Sequence, residues 1–175
     1  MERSFNIEGM TSGNHESIRK GEHVTDLERL IAIENIRTLQ SRYVRYADSK
    51  DWDALAGCFL PDASFIPHDL QGKPQVIMAG RDAIKERVST SVGNGTALHH
   101  LLSYEIEVDS STRARGVWAM EDWIDRSNDD SSTGASPPFK TMHGCGHYHA
   151  TYEKVGGVWF IADLKLLRVK LEFAH

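Results

Sequence analysis

The chain has 175 residues, 40% of them hydrophobic and 26% charged, enough for a globular core without disulfides or a structural metal. With 20 Lys and Arg against 25 Asp and Glu the net charge is −5, which argues against nucleic acid or an anionic membrane as partner. No apolar run approaches the roughly 18 residues of a membrane span, the start has no signal-like apolar stretch, and 2 cysteines make no disulfide framework, so a cytoplasmic location is expected.

Residues 1–22 are polar and glycine-punctuated and read as an N-terminal extension, with one domain over 23–175. Thr25 or Asp26 can cap a helix that runs to about Ala47. Along it Ala32, Ile36, Leu39, Tyr43 and Ala47 mark one apolar face. Leu27, Leu30 and Ile31 fall on a second face, suited to a subunit contact. Ser49 or Asp51 opens a short helix from Trp52 to Phe59, stopped by Pro61. Short strands are expected at 63–67 and 76–78, then a third helix from Arg81 to Ser91 ended by Gly93 and Gly95.

The second half alternates as strands do. Residues 98–109 place Leu102, Tyr104, Ile106 and Val108 on one face, and 113–125 form a second run. Residues 127–138 are a polar loop. Two long strands, 140–153 and 158–171, flank the hairpin signal Val155-Gly-Gly-Val158. Helices followed by long antiparallel strands predict an α+β fold: a long helix and two shorter ones packed on a strongly curved, mostly antiparallel mixed sheet, enclosing a conical cavity.

Nine histidines point to chemistry. His99 and His100 open a strand, and an imidazole titrates near the pH at which a general base works. Alternation favours His100 facing inward with Leu102 and Tyr104; His99 does so only if a bulge shifts the register before Tyr104. Asp48, just past the long helix, can orient a histidine or cap the next helix. Tyr43 lies on the apolar helix face with a hydroxyl to offer. Asp122 and Arg168 fall within otherwise apolar strands, where charges are paired or functional. His143, Cys145, His147 and His149 share one strand face; His143, His147 and His149 raise the possibility of a metal-dependent enzyme, although no zinc spacing is matched. No phosphate-binding glycine loop, nucleophile elbow or Cys-x-x-Cys is present.

The run LQSRYVRYADSKDWDALAGCFLPDA at 39–63 resembles the opening of SnoaL-like proteins, members of the nuclear transport factor 2-like superfamily. GRDAI at 80–84, LHHLLS at 98–103, IEV at 106–108 and YEKVGGVW at 152–159 continue the likeness over about residues 24–172. That resemblance implies a cone-shaped α+β barrel. Within the superfamily the pattern is similar to the dehydratases, above all bile acid 7α-dehydratases and more weakly scytalone dehydratases. It implies a catalytic set of Tyr43, Asp48, His99, Asp122 and Arg168. Ala47 and Pro67 stand where scytalone dehydratases carry substrate-gripping tyrosines, which points away from scytalone itself.

The resulting expectation is a lyase or isomerase that needs no cofactor and no metal. Its substrate would be a small hydrophobic cyclic carbonyl compound, held by Phe65, Trp118, Trp123 and Tyr148. Asp48 would orient His99 as the base. The alternatives are a binding module using the same cavity without turnover, or the metal-dependent enzyme. A homodimer or homotrimer is expected.

Overall fold

The computed structural model describes residues 24–127 and 139–175. The expected extension at 1–22 and nearly all of the 127–138 loop lie outside the described residues. Helix α1 spans Asp26–Ser49, α2 Trp52–Ala56 and α3 Arg81–Val92; the strands are β1 Phe59–Pro67, β2 Met78–Ala79, β3 Thr96–Val108, β4 Arg113–Asp125, β5 Thr141–Val155 and β6 Val158–Ala174. The strands form an open six-stranded sheet in the order β2-β1-β6-β5-β4-β3. Among the described residues only β1 and β6 pair in parallel. The three helices pack on this mixed sheet, which is the α+β cone architecture.

Local chemistry accounts for the elements. The Thr25 side chain accepts from the Glu28 backbone N–H at 3.3 Å while Glu28 Oε2 accepts from the Thr25 N–H at 2.9 Å, a capping box that starts α1. Ile36, Leu39, Tyr43 and Ala47 face the core at spacings of three and four. At the far end Lys50 takes the left-handed conformation at φ 58°, its N–H bonds Ala47 O, and the Asp51 N–H bonds Tyr46 O. That Schellman-type stop turns the chain immediately after Asp48. Helix α2 ends earlier than expected: Phe59, fully buried, belongs to β1 instead. Gly156 and Gly157, with φ of 58° and 86°, make the tight β5–β6 turn in which both residues must adopt positive φ.

Two kinds of irregularity aim the inward side chains. In β3, Leu101 pairs with Met120 but Tyr104 pairs with Trp118, so three steps on one strand oppose two on the other. This bulge reverses the parity: Ala97, His99 and Leu101 face inward before it, Ile106 and Val108 after it. Leu102, expected in the core, sits in the bulge and is 64% exposed. Tyr104 lies against Trp118 and under Arg37 but is also well exposed. In β6 the register shifts twice, between the partners of Tyr152 and Thr151 (Ile161 and Asp163) and between those of Gly146 and Cys145 (Arg168 and Lys170), and each shift breaks the alternation.

Candidate active site

A cavity of about 520 Å³ opens between α1, α3 and the concave face of the sheet. That volume suits a small organic ligand. Its wall is mainly apolar, with Ala47, Phe65, Val88, Val92, Ile124, Met142, Leu166 and Leu171. The polar groups on it include His99, Asp122, Arg168, Tyr43 and Tyr148.

Asp48 and His99, 51 positions apart in sequence, meet at the cavity edge. His99 Nδ1 lies 2.6 Å from Asp48 Oδ1, and the His99 backbone N–H donates to Oδ2 at 3.2 Å. One carboxylate therefore fixes both the main chain and the ring of the histidine. With Nδ1 engaged, Nε2 is the nitrogen left for chemistry. His100 points to the opposite face of the sheet, 3.6 Å from Glu121. The β3 bulge explains why simple alternation pointed to the wrong histidine.

Asp122 pairs with His99 across β3 and β4. Its carboxylate is gripped by Arg168, Nη1 to Oδ1 at 2.6 Å and Nη2 to Oδ2 at 2.8 Å, and both side chains are buried. Burial alone pulls the Arg168 guanidinium down, but the hydrogen bonds and charge of Asp122 outweigh it and the net shift is upward. The pair needs an empty position between its strands. Gly144, opposite Asp122 on β5, supplies it: a Cβ there would run into Arg168 Nη1 and Asp122 Oδ1. Gly144 was not singled out from the sequence, where an isolated strand glycine signals only a close approach of unknown identity.

Tyr43 is buried, its ring edge-on to Phe59 and Tyr148 at centroid distances of 5.5 and 6.0 Å. Burial drives its hydroxyl strongly upward in pKa; a hydrogen bond donated by Tyr148 pulls back, and the Asp122 charge adds to the rise. Tyr148 is raised as well, first by burial and then by Tyr43 and Asp122. Both phenols thus stay neutral and serve as donors. The Tyr148–Tyr43 link joins β5 to α1, and no sequence periodicity announces it.

Two aromatic expectations are corrected. Trp118 is buried, but it packs in the core away from this cavity, with its Nε1–H donating to the Tyr152 hydroxyl at 2.8 Å. Trp123 has the opposite parity and lies 48% exposed on the outer face, stacked on His143. Phe65 and Tyr148 do line the cavity. The set His143, His147 and His149 cannot share one ion, since six extended residues span about 20 Å. All three project from the outer face, opposite the buried even-numbered residues of β5.

A SnoaL-like domain model matches residues 28–165. The chain belongs to the SnoaL-like domain family. A curated relative of this SnoaL-like protein, named "Probable cyclase FGR4", from Gibberella zeae, is 27% identical over 144 residues, covering 77% of this chain and 89% of the relative. The solved structure named "Putative Scytalone Dehydratase" from Novosphingobium aromaticivorans superposes with a TM-score of 0.70 at 21% identity, covering 86% of this chain and 93% of that one. The hexachlorocyclohexane dehydrochlorinase LinA-type3 from Novosphingobium barchaimii gives 0.66 at 18% identity, covering 85% and 94%. At those identities the two structures speak for the fold. Among the described residues no helix is long and apolar enough to cross a membrane.

Proposed function

We propose that this SnoaL-like protein is a cofactor-independent lyase or isomerase that removes a proton next to the carbonyl of a small, largely apolar cyclic compound. The observation that carries the reading is the 2.6 Å Asp48–His99 contact at the wall of an apolar cavity. Relatives named as a cyclase, a dehydratase and a dehydrochlorinase support it, since such names describe bond rearrangement or elimination without oxidation.

In this mechanism Asp48 accepts the Nδ1 hydrogen and presents Nε2 to the substrate. Nε2 takes the α-proton, and the electron pair of that C–H bond moves into an enolate. Asp48 stabilises the imidazolium that results. Tyr43, held neutral by burial and oriented by Tyr148, donates to the enolate oxygen. Arg168 spends two N–H groups on Asp122, which sets its plane against the cavity; its remaining donors hold a carbonyl in place. For elimination, a β-hydroxyl leaves with the proton returned by His99, and water departs. For isomerisation the same proton goes back to a different carbon. Neither path needs an oxidant.

The test is a panel of cyclic enones and β-hydroxy ketones incubated with the protein and read by mass spectrometry. Turnover of at least one compound by the wild type, lost in His99→Ala, is expected. Equal binding of a cyclic ketone by wild type, His99→Ala and Asp48→Asn, with no turnover across the panel, would establish the binding-module reading instead.

A further inference from the structure

The convex face of the sheet carries a second cluster of reactive side chains, directly behind the Asp122–Arg168 pair. Alternation puts Glu121 outward where Asp122 points inward, and His143 and Cys145 outward on either side of Gly144. Glu121 and Cys145 are cross-strand partners on β4 and β5. His143 Nε2 lies 2.7 Å from Glu121 Oε1 and 3.9 Å from Cys145 Sγ. A ligand atom from each of the three falls within 4.8 Å of the other two. The edge of a tetrahedral zinc site, with bonds of about 2.0–2.3 Å, is about 3.3–3.7 Å. Small rotations of the partly exposed Glu121 and Cys145 side chains toward the His143 ring close the difference.

From this convergence we infer that Glu121, His143 and Cys145 form a binding site for a borderline divalent transition ion such as Zn²⁺, on the face of the sheet opposite the cavity.

The donor set selects the ion. A thiolate with an imidazole disfavours Mg²⁺ and Ca²⁺, which take oxygen ligands, and suits Zn²⁺ or Co²⁺. The surroundings resemble those of a ligating histidine. His143 Nδ1 lies 3.6 Å from Glu172 Oε2 on β6, a carboxylate placed to orient the ring through its other nitrogen. Trp123 stacks on the same ring at 3.8 Å with planes 14° apart, which further limits its rotation. The Glu121 carboxylate offers an anionic oxygen 2.7 Å from His143 Nε2. On binding, the ion displaces the hydrogen between His143 Nε2 and Glu121, which moves to Nδ1 beside Glu172, and the Cys145 thiol proton is released. Three protein ligands leave a fourth position for water. No oxidation or group transfer is involved.

The test uses the full chain, stripped of metal with a chelator, then titrated with Zn²⁺ alone, Co²⁺ alone and Mg²⁺ alone. One Zn²⁺ per chain should bind saturably and quench fluorescence through Trp123, while Mg²⁺ at the same concentrations does neither. Co²⁺ should produce a thiolate-to-metal charge-transfer band together with visible bands of a tetrahedral site. Cys145→Ser should abolish the charge-transfer band and Cys58→Ala should keep it. Glu172→Gln should weaken Zn²⁺ binding by about 10–100-fold. His147→Ala, further along the same strand, should leave it unchanged. Absence of saturable Zn²⁺ binding in the wild type, a charge-transfer band that survives Cys145→Ser, or affinity that follows His147 rather than His143 would overturn the assignment. The wild-type Co²⁺ spectrum alone decides whether a thiolate is a ligand, even if a variant fails to fold.

Discussion

A single carboxylate oxygen carries most of the chemistry in this account. Asp48→Asn keeps the volume but removes the charge that stabilises the imidazolium, and its NH₂ can enforce the wrong tautomer on His99. Turnover should fall about 10²–10⁴-fold while affinity for an apolar cyclic ketone changes little, read by steady-state kinetics and calorimetry side by side. A matching loss of affinity would mean that Asp48 holds the cavity together and does not act on the base. Gly144 offers a second test at this scale. In Gly144→Ala the added methyl competes with Arg168 and Asp122 for the same space, leaving buried charges imperfectly paired. Urea unfolding should show a loss of up to about 3–5 kcal/mol, and a loss under about 0.5 kcal/mol would show that the pair tolerates displacement. Asp122 and Arg168 stood out as charges inside apolar runs, whereas the grouping of Tyr43, Asp48, His99, Asp122 and Arg168 came from the resemblance to SnoaL-like dehydratases. The sequence did not expose Gly144 or the Tyr148–Tyr43 bond, since a glycine records only that something is close. Trp118 and Trp123 are both large and apolar on one strand, and their opposite parity separates the buried ring from the exposed one.

The elements succeed or fail on register. Helix α1 was legible from its cap candidates Thr25 and Asp26 and its apolar face, and β5 and β6 from the Val155-Gly-Gly-Val158 hairpin signal. The bulge in β3 was not legible, because nothing in LHHLLSY marks which residue goes unpaired, and this single extra residue decides which histidine faces the cavity. The helix and sheet are tied by a buried polar relay in which Trp118 donates to the Tyr152 hydroxyl and that hydroxyl donates to Gln40 Oε1 at 3.0 Å. Tyr152→Phe strands an indole N–H and an amide oxygen in the core. Denaturant unfolding should show a cost of about 1–3 kcal/mol. Because the relay lies apart from the cavity, turnover measured well below the transition should be unaffected; a selective loss of activity would place Tyr152 in the site.

At the scale of the molecule, several buried groups share one pH response. Tyr43, Tyr148 and Tyr152 are all raised, chiefly by burial, and burial pushes the Cys58 thiol up to about 11. A group whose pKa is raised in the folded state adds stability that is intact below its unfolded value and disappears as pH climbs toward the folded one. Each tyrosine should therefore contribute a slope of about −1.4 kcal/mol per pH unit once pH passes about 10, with Cys58 entering earlier. Urea midpoints at successive pH values should fall steeply on the alkaline side, and Tyr152→Phe should flatten that fall by one proton. A flat alkaline limb would mean that these hydroxyls ionise in place.

Further copies would meet on exposed apolar surface of α1 and of the outer sheet face. Leu27, Leu30 and Ile31 are 67%, 64% and 51% exposed on α1, and Trp123 lies on the outer sheet. We expect a homodimer or homotrimer, which light scattering at micromolar concentration would show as a multiple of the chain mass; a monomer contradicts it.

We propose that His99, oriented by Asp48, removes a proton next to a carbonyl. Hydrogen–deuterium exchange tests this without needing the natural substrate. A panel of cyclic ketones that bind the cavity is incubated in D₂O with wild type, His99→Ala and Asp48→Asn, and deuterium at the α-carbon is followed by mass spectrometry. Exchange above the buffer rate is expected in the wild type, background exchange in His99→Ala, and a rate lowered by about 10²–10⁴-fold in Asp48→Asn. Exchange that proceeds equally in wild type and His99→Ala, or none in the wild type with any ketone that binds, contradicts it.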